Sequence, residues 1–157
     1  MSSKSGEASK YIAVNRKARH FYEVLDTMEA GLALTGSEVK SLRAGKVNFK
    51  DSYVKFTGRF EAFVCGLHIS PYENAGYAQH EPERDRKLLM HEHQIRDWKA
   101  KVEQKGLTVV PLKLYLKRGK IKLEIGLAKG KNVHDRKDAL KERDLDREAK
   151  RERDSYR

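Results

Sequence analysis

The stretch that decides the fold reads GKIKLEIGLAKGKNVHDRKD and spans residues 119–138. Its first part has an apolar residue at every second position from Ile121 to Leu127, which is the pattern of a strand with one buried face. The chain changes character at about Ala128, since residues 129–157 hold 11 Lys or Arg and 8 Asp or Glu but few large apolar groups. Such a segment cannot bury enough surface to offset its ordering entropy. The stretch therefore predicts the last strand of a folded core, followed by a charged tail that is disordered or helical.

Upstream of that strand, further segments have the composition of strands. Residues 21–34 are rich in strand formers, are interrupted by Asp26 and pivot at Gly31, and predict two segments joined by a bend or bulge. Residues 47–56 and 60–69 flank Thr57-Gly58-Arg59 and predict a hairpin.

The segment before the last strand, residues 108–116, has apolar side chains at positions 110, 112, 114 and 116. They predict one buried face, and the turn at 117–120 leads directly into the last strand. Pro111 lies on the other parity and indicates an edge strand or an irregular start.

Two helices are predicted, each with a signal for where it ends. Thr35 and Glu38 are spaced as a capping box, so a helix begins there and Gly45 ends it. An amphipathic stripe predicts a second helix, which ends at Gly106. The stripe consists of His91, Ile95, Trp98 and Val102. Between the two lies a segment without sustained periodicity, residues 70–86, which predicts a long loop.

These elements predict a mainly β protein. We expect a small antiparallel β-barrel like the oligonucleotide-binding fold, with about six strands and two or three short helices. The expected boundaries are a disordered leader at 1–10, the barrel domain at 11–128 and the charged tail at 129–157.

The charge of the chain indicates a polyanionic partner. The formal net charge is +11, and residues 1–128 contribute +8 of it, so most of the excess lies on the folded part. Nucleic acid would be attracted at long range and bound with strong salt dependence. A basic protein with no specific anionic partner is the alternative that composition leaves open.

The single cysteine and the hydropathy indicate where the protein works. Cys65 lies inside an apolar run, which predicts a small buried side chain in a reducing compartment. No window approaches the roughly eighteen apolar residues of a membrane span. We expect a soluble, cytoplasmic protein.

No catalytic arrangement stands out in the sequence. Residues 126–132 resemble a phosphate-binding loop, but three residues instead of four separate the glycines and no Ser or Thr follows Lys131. His91 and His93 diverge on a helix and do not have the spacing of a zinc protease. We therefore expect a protein that is not an enzyme and has no metal and no cofactor.

Basic side chains instead form clusters spread along the chain, an arrangement that suits a curved phosphate backbone. The clusters are Arg16, Lys17, Arg19 and His20; Lys40, Arg43 and Lys46; Arg84, Arg86 and Lys87; and Lys120 with Lys122. For any one cluster, plain solvation is the alternative. Candidate stacking groups are Tyr11, His20, Tyr22 and Tyr72, although most aromatic residues of a barrel belong to its core.

Several longer motifs, in order along the chain, resemble the SsrA-binding protein family, also called small protein B. They are residues 15–20 (NRKARH), 29–32 (EAGL), 36–46 (GSEVKSLRAGK), 51–54 (DSYV), 86–89 (RKLL), 119–122 (GKIK) and 127–131 (LAKGK). The resemblance covers about residues 11–145. It implies a bacterial factor of trans-translation that binds transfer-messenger RNA, delivers it to stalled ribosomes and has an oligonucleotide-binding-like barrel.

The resemblance also implies which residues hold the tRNA-like domain of that RNA. They are Asn15, Arg16, Lys17, Arg19, His20, Glu29, Lys87, Leu89 and Lys122. A lysine can pair with a phosphate, Asn15 and Glu29 can bond base edges or ribose hydroxyls, and an exposed Leu89 can pack on a splayed base. The alternatives are that Leu89 belongs to the core and that Glu29 is a solvated acid.

For the tail, the resemblance implies contacts with the decoding site and the messenger channel of the small ribosomal subunit. Gly130 would act as the hinge, and the contacts would come from Lys131, His134, Asp135, Arg136, Lys137, Lys141, Arg143, Arg147 and Arg151. We expect a monomer in a 1:1 complex with the RNA, without a membrane partner.

Two other functions stay open on the sequence alone. An intrinsic ribosomal or ribosome-assembly protein would keep its basic tail buried in ribosomal RNA. A small nuclease would use the histidine-rich face at 91–93.

Overall fold

The structure, a computed structural model, describes residues 10–72 and 79–130. Its strands are β1 (Lys10–Val14), β2 (Tyr22–Leu32), β3 (Val47–Asn48), β4 (Tyr53–Phe56), β5 (Ala62–Cys65), β6 (His68–Ile69), β7 (Arg86–Leu89), β8 (Thr108–Lys117) and β9 (Lys120–Gly130). Its helices are α1 (Arg16–Phe21), α2 (Gly36–Arg43) and α3 (Glu92–Lys105). The predicted mainly β class with short helices is confirmed.

Six of the strands close into an antiparallel ring. They follow the order β8-β4-β5-β7-β2-β9, and β9 pairs back with β8. Outside the ring, β1 pairs with β8, and β3 pairs with β6 in a separate small sheet. The ring confirms the predicted antiparallel barrel of about six strands.

Strand β2 differs from its prediction. It is one continuous strand, and the predicted pivot at Gly31 is wrong, because Gly31 pairs normally with Lys122 of β9. The irregularity lies at the interruption indicated by Asp26, where the register with β9 shifts between Val24 and Asp26. A bulge there increases the local twist and leaves one residue of β2 without an opposite partner.

Strand β8 has a similar register shift, between Pro111 and Lys113. The irregular start indicated by Pro111 is thus confirmed, but the single buried face predicted for positions 110–116 is wrong. Leu114 faces the main core, whereas Leu112 packs in a smaller cluster on the opposite side of the sheet. An extra residue at a bulge changes the face to which the following side chains point.

Strand β7 was missed, because the predicted loop includes residue 86 and no sequence pattern assigned residues 87–89 to an element. It lies between β5 and β2 and is therefore an integral part of the ring. The hairpin around residues 57–59 is confirmed, with Phe56 of β4 opposite Ala62 of β5. The predicted strand at 47–56 is divided into β3 and β4, and the strand at 60–69 is divided into β5 and β6.

The predicted helix ends agree with the structure. At α2, Thr35 Oγ1 accepts a hydrogen bond from the Glu38 amide, and Glu38 Oε1 accepts one from the Thr35 amide at 2.8 Å. At α3, Gly106 ends the helix in the left-handed region, with φ of 65°. The expected total of two or three helices agrees with the presence of α1, but no sequence pattern located this helix.

The main core fills the ring and includes side chains from two helices. Leu42 of α2 and Ile95 and Trp98 of α3 contribute to it, and Trp98 is 1% exposed. A smaller cluster lies outside the ring, where Ala18 of α1 packs with Ala128 of β9. Helix α1 therefore covers one end of the outer face of β9.

The folded part is slightly longer than predicted at both ends. Strand β1 includes Lys10, which was assigned to the leader, and β9 runs two residues past the expected boundary at 128. Residues 1–9 and 131–157, which hold the rest of the predicted leader and tail, lie outside the described residues. Among the described helices, none is long and apolar enough to cross a membrane.

Candidate nucleic-acid interface

A row of side chains crosses the outer face of the ring from β1 to β7. Register pairs Tyr11 of β1 with Tyr115 of β8, Tyr115 with Lys122 of β9, Lys122 with Gly31 of β2, and Gly31 with Leu89 of β7. We call these five residues, together with Glu29 two residues before Gly31 in β2, the outer row. Since opposite residues of paired strands share a face, the outer row is continuous over five strands.

The side chain of Lys122 belongs to the outer face because its neighbours in β9 point inward. Ile121 and Leu123 are buried in the main core, 8% and 0% exposed, whereas Lys122 is half-buried between them. Lys122 forms no salt bridge with any residue of the described ranges. The charge of its ammonium group helps to lower the pKa of Glu29 on the same face.

Leu89 is an exposed apolar residue, 56% accessible, at the other end of the outer row. Its side chain lies over Gly31, where an added Cβ would come within 3.3 Å of the Leu89 Cβ. Glycine at position 31 therefore lets Leu89 lie close to the sheet beside Lys122. The alternative that Leu89 belongs to the core is excluded by its exposure.

Glu29 lies two residues before Gly31 in β2, so it faces the same side of the sheet. Its Oε2 accepts a hydrogen bond of 2.6 Å from the Tyr115 hydroxyl and lies 3.3 Å from Lys117 Nζ. Burial alone would raise the pKa of Glu29, but the hydrogen bonds from Tyr115 and Lys117 and the charges of Lys117 and Lys122 outweigh burial and lower it. Glu29 is therefore an ionised acid in a mostly basic neighbourhood.

A second set of contacts supports the β1 end of the outer row. Lys113 Nζ lies 4.9 Å from the ring centroid of Tyr11 and 3.4 Å from Glu124 Oε1. The rings of Tyr11 and Tyr115 meet edge to face, with centroids 6.3 Å apart. Tyr11 is 59% exposed, so its ring offers a flat apolar surface at this end.

Helix α1 lies on the same face as the outer row, because Ala128 beneath it has the same strand parity as Lys122. Arg16 and Arg19 are exposed on this helix and form no ion pair within the described part of the chain. Lys17 is half-buried and lies 3.4 Å from Asp51 Oδ1. The His20 ring meets Phe21 edge to face at 5.0 Å.

Asn15 has a structural role that the sequence analysis did not indicate. It is 8% exposed and caps α1 by accepting a hydrogen bond from the Ala18 amide. Its Nδ2 donates to the Pro111 carbonyl at 2.8 Å, which ties α1 to the bulge in β8. The predicted contact of Asn15 with RNA stays a prediction, and the structure adds that this residue orients α1.

Lys87 points to the outer side of β7, as Leu89 does, and lies 3.4 Å from Glu61 Oε2. Between them on the chain, Leu88 is 1% exposed and faces the core. Lys87 is thus placed at the margin of the outer row, in contact with solvent.

In one predicted basic cluster, both arginines are paired with Glu38. Arg86 is fully buried, and its Nε donates to Glu38 Oε2 at 2.6 Å. Arg84 Nη2 donates to Glu38 Oε1 at 2.7 Å. Glu38 therefore joins α2 to both arginines, of which Arg86 is buried and Arg84 is partly exposed, whereas Lys87 is presented outward.

The predicted tail begins beside α1. Gly130, the last residue of β9, pairs with Tyr22, which follows directly after α1. The hinge role of Gly130 stays a prediction. The other predicted ribosome contacts lie outside the described residues: Lys131, His134, Asp135, Arg136, Lys137, Lys141, Arg143, Arg147 and Arg151.

Sequence reasoning missed the residues that hold Glu29 in place. Tyr115 and Lys117 alternate with core residues of β8, so a count backward from the turn at 117–120 places Tyr115 opposite Lys122. That count was the available signal. The histidines at 91 and 93 are exposed and stack on each other, and no group of metal-ligating side chains occurs among the described residues.

A closed antiparallel ring of this size, with a polar row on its outer face, places the chain in the class of small oligonucleotide-binding-like β-barrels. A family model described as SmpB protein matches residues 12–155. An SsrA-binding protein from Solidesulfovibrio magneticus is 64% identical over 94% of both chains. Another from Trichormus variabilis is 52% identical over 99% of this chain and 100% of that one.

A solved structure gives the same result for the fold. It is described as "tmRNA-SmpB: a journey to the center of the bacterial ribosome", and it matches with a TM-score of 0.67 and 51% identity. The match covers 82% of this chain and 93% of the other. The chain belongs to the SmpB family.

Proposed function

We propose that the chain binds the tRNA-like part of transfer-messenger RNA through its outer row and α1, and delivers that RNA to stalled ribosomes. The observation that carries the proposal is the convergence of Glu29, Leu89 and Lys122. These residues are far apart in the sequence, yet they occupy one small area of the outer face. The names of the relatives supply the partner, since those proteins are described as binding SsrA and as acting with transfer-messenger RNA at the ribosome.

Each part of this surface suits a different part of an RNA. Lys122, Arg16 and Arg19 are cations suited to phosphates. Leu89 offers an apolar contact to an unstacked base, and Tyr11 offers a ring on which a base can stack. Glu29 is an acceptor for a base or ribose donor. A surface that mixes these groups is more selective than a uniformly basic one.

The function is that of an adaptor and not of an enzyme. The Glu29 carboxylate is held through Oε2 by Tyr115 and Lys117, and the relatives that the chain matches are described as SsrA-binding proteins. Bacterial ribosomes lie in the cytoplasm, so the proposal includes a cytoplasmic site of action. Family membership disfavours the alternative of an intrinsic ribosomal or assembly protein.

The tail has its own part in the proposal. Residues 131–157 would enter the decoding site and the messenger channel when the channel is empty, with Gly130 as the hinge. Ordering of a charged segment when it meets a surface that neutralises it is common for such segments. Messenger RNA in the channel would exclude the tail, so the tail would report whether the ribosome has run out of message.

The first experiment compares binding of the tRNA-like RNA to wild-type protein, Glu29→Ala and Lys122→Ala by fluorescence anisotropy. The matched control is Lys105→Ala, since Lys105 is an exposed lysine at the end of α3, away from the outer row. We expect both row variants to bind more weakly and the control to bind as the wild type does. Wild-type affinity in both row variants, with folding intact, would remove the outer row from the interface.

A further inference from the structure

Among the described residues, the side chains that contact the Glu29 carboxylate reach only one of its two oxygens. Both the Tyr115 hydroxyl, at 2.6 Å, and Lys117 Nζ, at 3.3 Å, contact Oε2. Within residues 10–72 and 79–130, Oε1 receives no hydrogen bond. The Glu29 side chain is 37% exposed, so Oε1 is the oxygen that a ligand on the outer face can reach.

Tyr115 is itself fixed. It is only 8% exposed, and its ring packs edge to face against Tyr11. Burial and then the Glu29 carboxylate raise the pKa of the Tyr115 hydroxyl well above its ordinary value. The hydroxyl therefore keeps its proton and remains a donor to Oε2 at any pH at which the protein works.

The surroundings of Glu29 are arranged so that cations lie beside it and not on Oε1. Lys117 contacts the other oxygen, and Lys122 faces the same side of the sheet without an ion pair in the described part of the chain. A phosphate that approaches this area is attracted by the lysines and repelled by the carboxylate. A group that donates a hydrogen bond is attracted by Oε1 and, unlike a phosphate, is not repelled by the carboxylate.

We infer that Tyr115 is a positioning residue that holds Glu29 so that Oε1 alone faces the RNA, which makes this point of the interface selective for a hydrogen-bond donor and unfavourable to a phosphate. The donor is a base N–H or a ribose 2′-OH. The inference rests on the proposed function and adds to it a residue and a selectivity. It separates the outer row into a position for backbone, at Lys122, and a position for a donor, at Glu29.

The test is a double-mutant cycle with Tyr115→Phe, Glu29→Gln and the double variant. Binding of the tRNA-like RNA and of a fully duplex RNA of equal length is measured for each. Tyr115→Phe keeps the ring and removes only the hydroxyl, so we expect affinity for the tRNA-like RNA to fall about fivefold, as for the loss of one hydrogen bond. Adding Tyr115→Phe to Glu29→Gln should cause no further loss, because the two residues act through one contact.

A second readout separates positioning from a merely structural role. We expect the pKa of the Glu29 carboxyl, followed by NMR, to rise in Tyr115→Phe, and binding of the duplex RNA to stay unchanged. Equal losses from Tyr115→Phe in both backgrounds, or an unchanged Glu29 pKa, would overturn the inference. If Tyr115→Phe does not fold, Lys117→Gln is used instead, because it removes the other contact to Oε2 from an exposed position. If Lys117→Gln lowers the affinity as much in the Glu29→Gln background as in the wild type, the inference is contradicted.

A third arm identifies the donor and keeps the two proposals apart. With 2′-deoxy substitutions across the RNA footprint, the effect of Glu29→Gln should vanish if the donor is a ribose hydroxyl and persist if it is a base. Failure of the wild-type protein to bind the tRNA-like RNA would overturn the proposed function. Wild-type binding together with an unaffected Glu29→Gln variant would overturn only the inference.

Discussion

Glu38 and Arg86 form an ion pair inside the fold, with Arg86 Nε 2.6 Å from Glu38 Oε2 and both side chains fully buried. The pair joins the first turn of α2 to β7, the strand that carries Leu89. Arg86 Nη1 also donates to the Leu67 carbonyl at 2.7 Å. The buried pair therefore fixes β7 from its inner side, while the outer side of the same strand faces the proposed RNA.

Replacing Glu38 by Gln should destabilise the protein strongly. The variant leaves the buried Arg86 without an opposite charge, and breaking one partner of such a pair typically costs about 3–5 kcal/mol. Urea unfolding followed by circular dichroism measures the loss. Glu83→Gln is the matched control, because Glu83 is exposed and its ion pair with Lys50 contributes little. Equal stability of the two variants would contradict the structural role given to Glu38.

Stability should also fall in acid because of Glu38. Burial alone would raise its pKa, but hydrogen bonds from Arg84, Thr35 and Arg86 outweigh burial and lower the pKa from 4.5 to about 2. The stabilisation is fully present above about pH 4.5 and is lost as the pH falls toward 2, and it amounts to roughly 3 kcal/mol. Urea unfolding at several pH values between 2 and 6 checks this. A Glu38→Gln protein should show a correspondingly flatter profile.

Trp98 should be a stability residue and not an RNA contact. It is 1% exposed and lies with Ile95 in the main core. Trp98→Ala should reduce the free energy of unfolding by about 3–5 kcal/mol. The folded fraction of the variant should still bind RNA with near wild-type affinity. A loss of less than about 1 kcal/mol, together with failed RNA binding, would place Trp98 in the interface instead.

Lys122 should be responsible for one phosphate contact. If so, Lys122→Ala lowers the slope of log affinity against log salt by about one unit, because one fewer counterion is released on binding. Anisotropy titrations at four or five salt concentrations measure the slope. Leu89→Ala is the comparison, since an apolar contact should weaken binding without changing the slope. An unchanged slope for Lys122→Ala would show that its ammonium group does not meet a phosphate.

The tail should be needed on the ribosome and not for binding the free RNA. A protein that ends at Asn132 keeps all of β9 and hence the ring. It should bind transfer-messenger RNA almost normally and fail to support peptide tagging on stalled ribosomes. Paired measurements of RNA affinity and of tagging in vitro test this. Undiminished tagging by the shortened protein would end the model in which the tail senses the empty channel.

Much of the fold could be predicted from local patterns. The capping box at Thr35 and Glu38 and the alternation from Ile121 to Leu127 are short-range signals, and both agree with the structure. Asp26 and Pro111 indicated irregularities in β2 and β8, but the register shifts themselves could not be predicted, because a register shift depends on the partner strand. Beneath the β8 bulge, a Cβ on Gly126 would come within 2.8 Å of Leu112 Cδ1, a close approach that no local pattern reveals.

The missed parts of the site have a common physical cause. Strand β7 is four residues long and directs the charged Arg86 inward, so the segment had neither the length nor the composition of a core strand. Glu38, the ion-pair partner of Arg86, is 48 residues away in the sequence. Likewise, Tyr115 and Glu29 meet only because β9 lies between their strands. Family resemblance indicated Glu29, Leu89 and Lys122, and the pairing of strands shows what holds them.

The position of β9 has a consequence for how the protein folds. This strand pairs with β2 on one side and with β8 on the other, so the ring cannot close before residues 120–130 have been made. The pairing of β2 with β9 joins parts of the chain about a hundred residues apart, and contacts of such large sequence separation slow folding. A chain growing from its amino end therefore exposes the unpaired edges of β2 and β8 until the last strand arrives. We expect folding to be late and cooperative, with β9 as the final step.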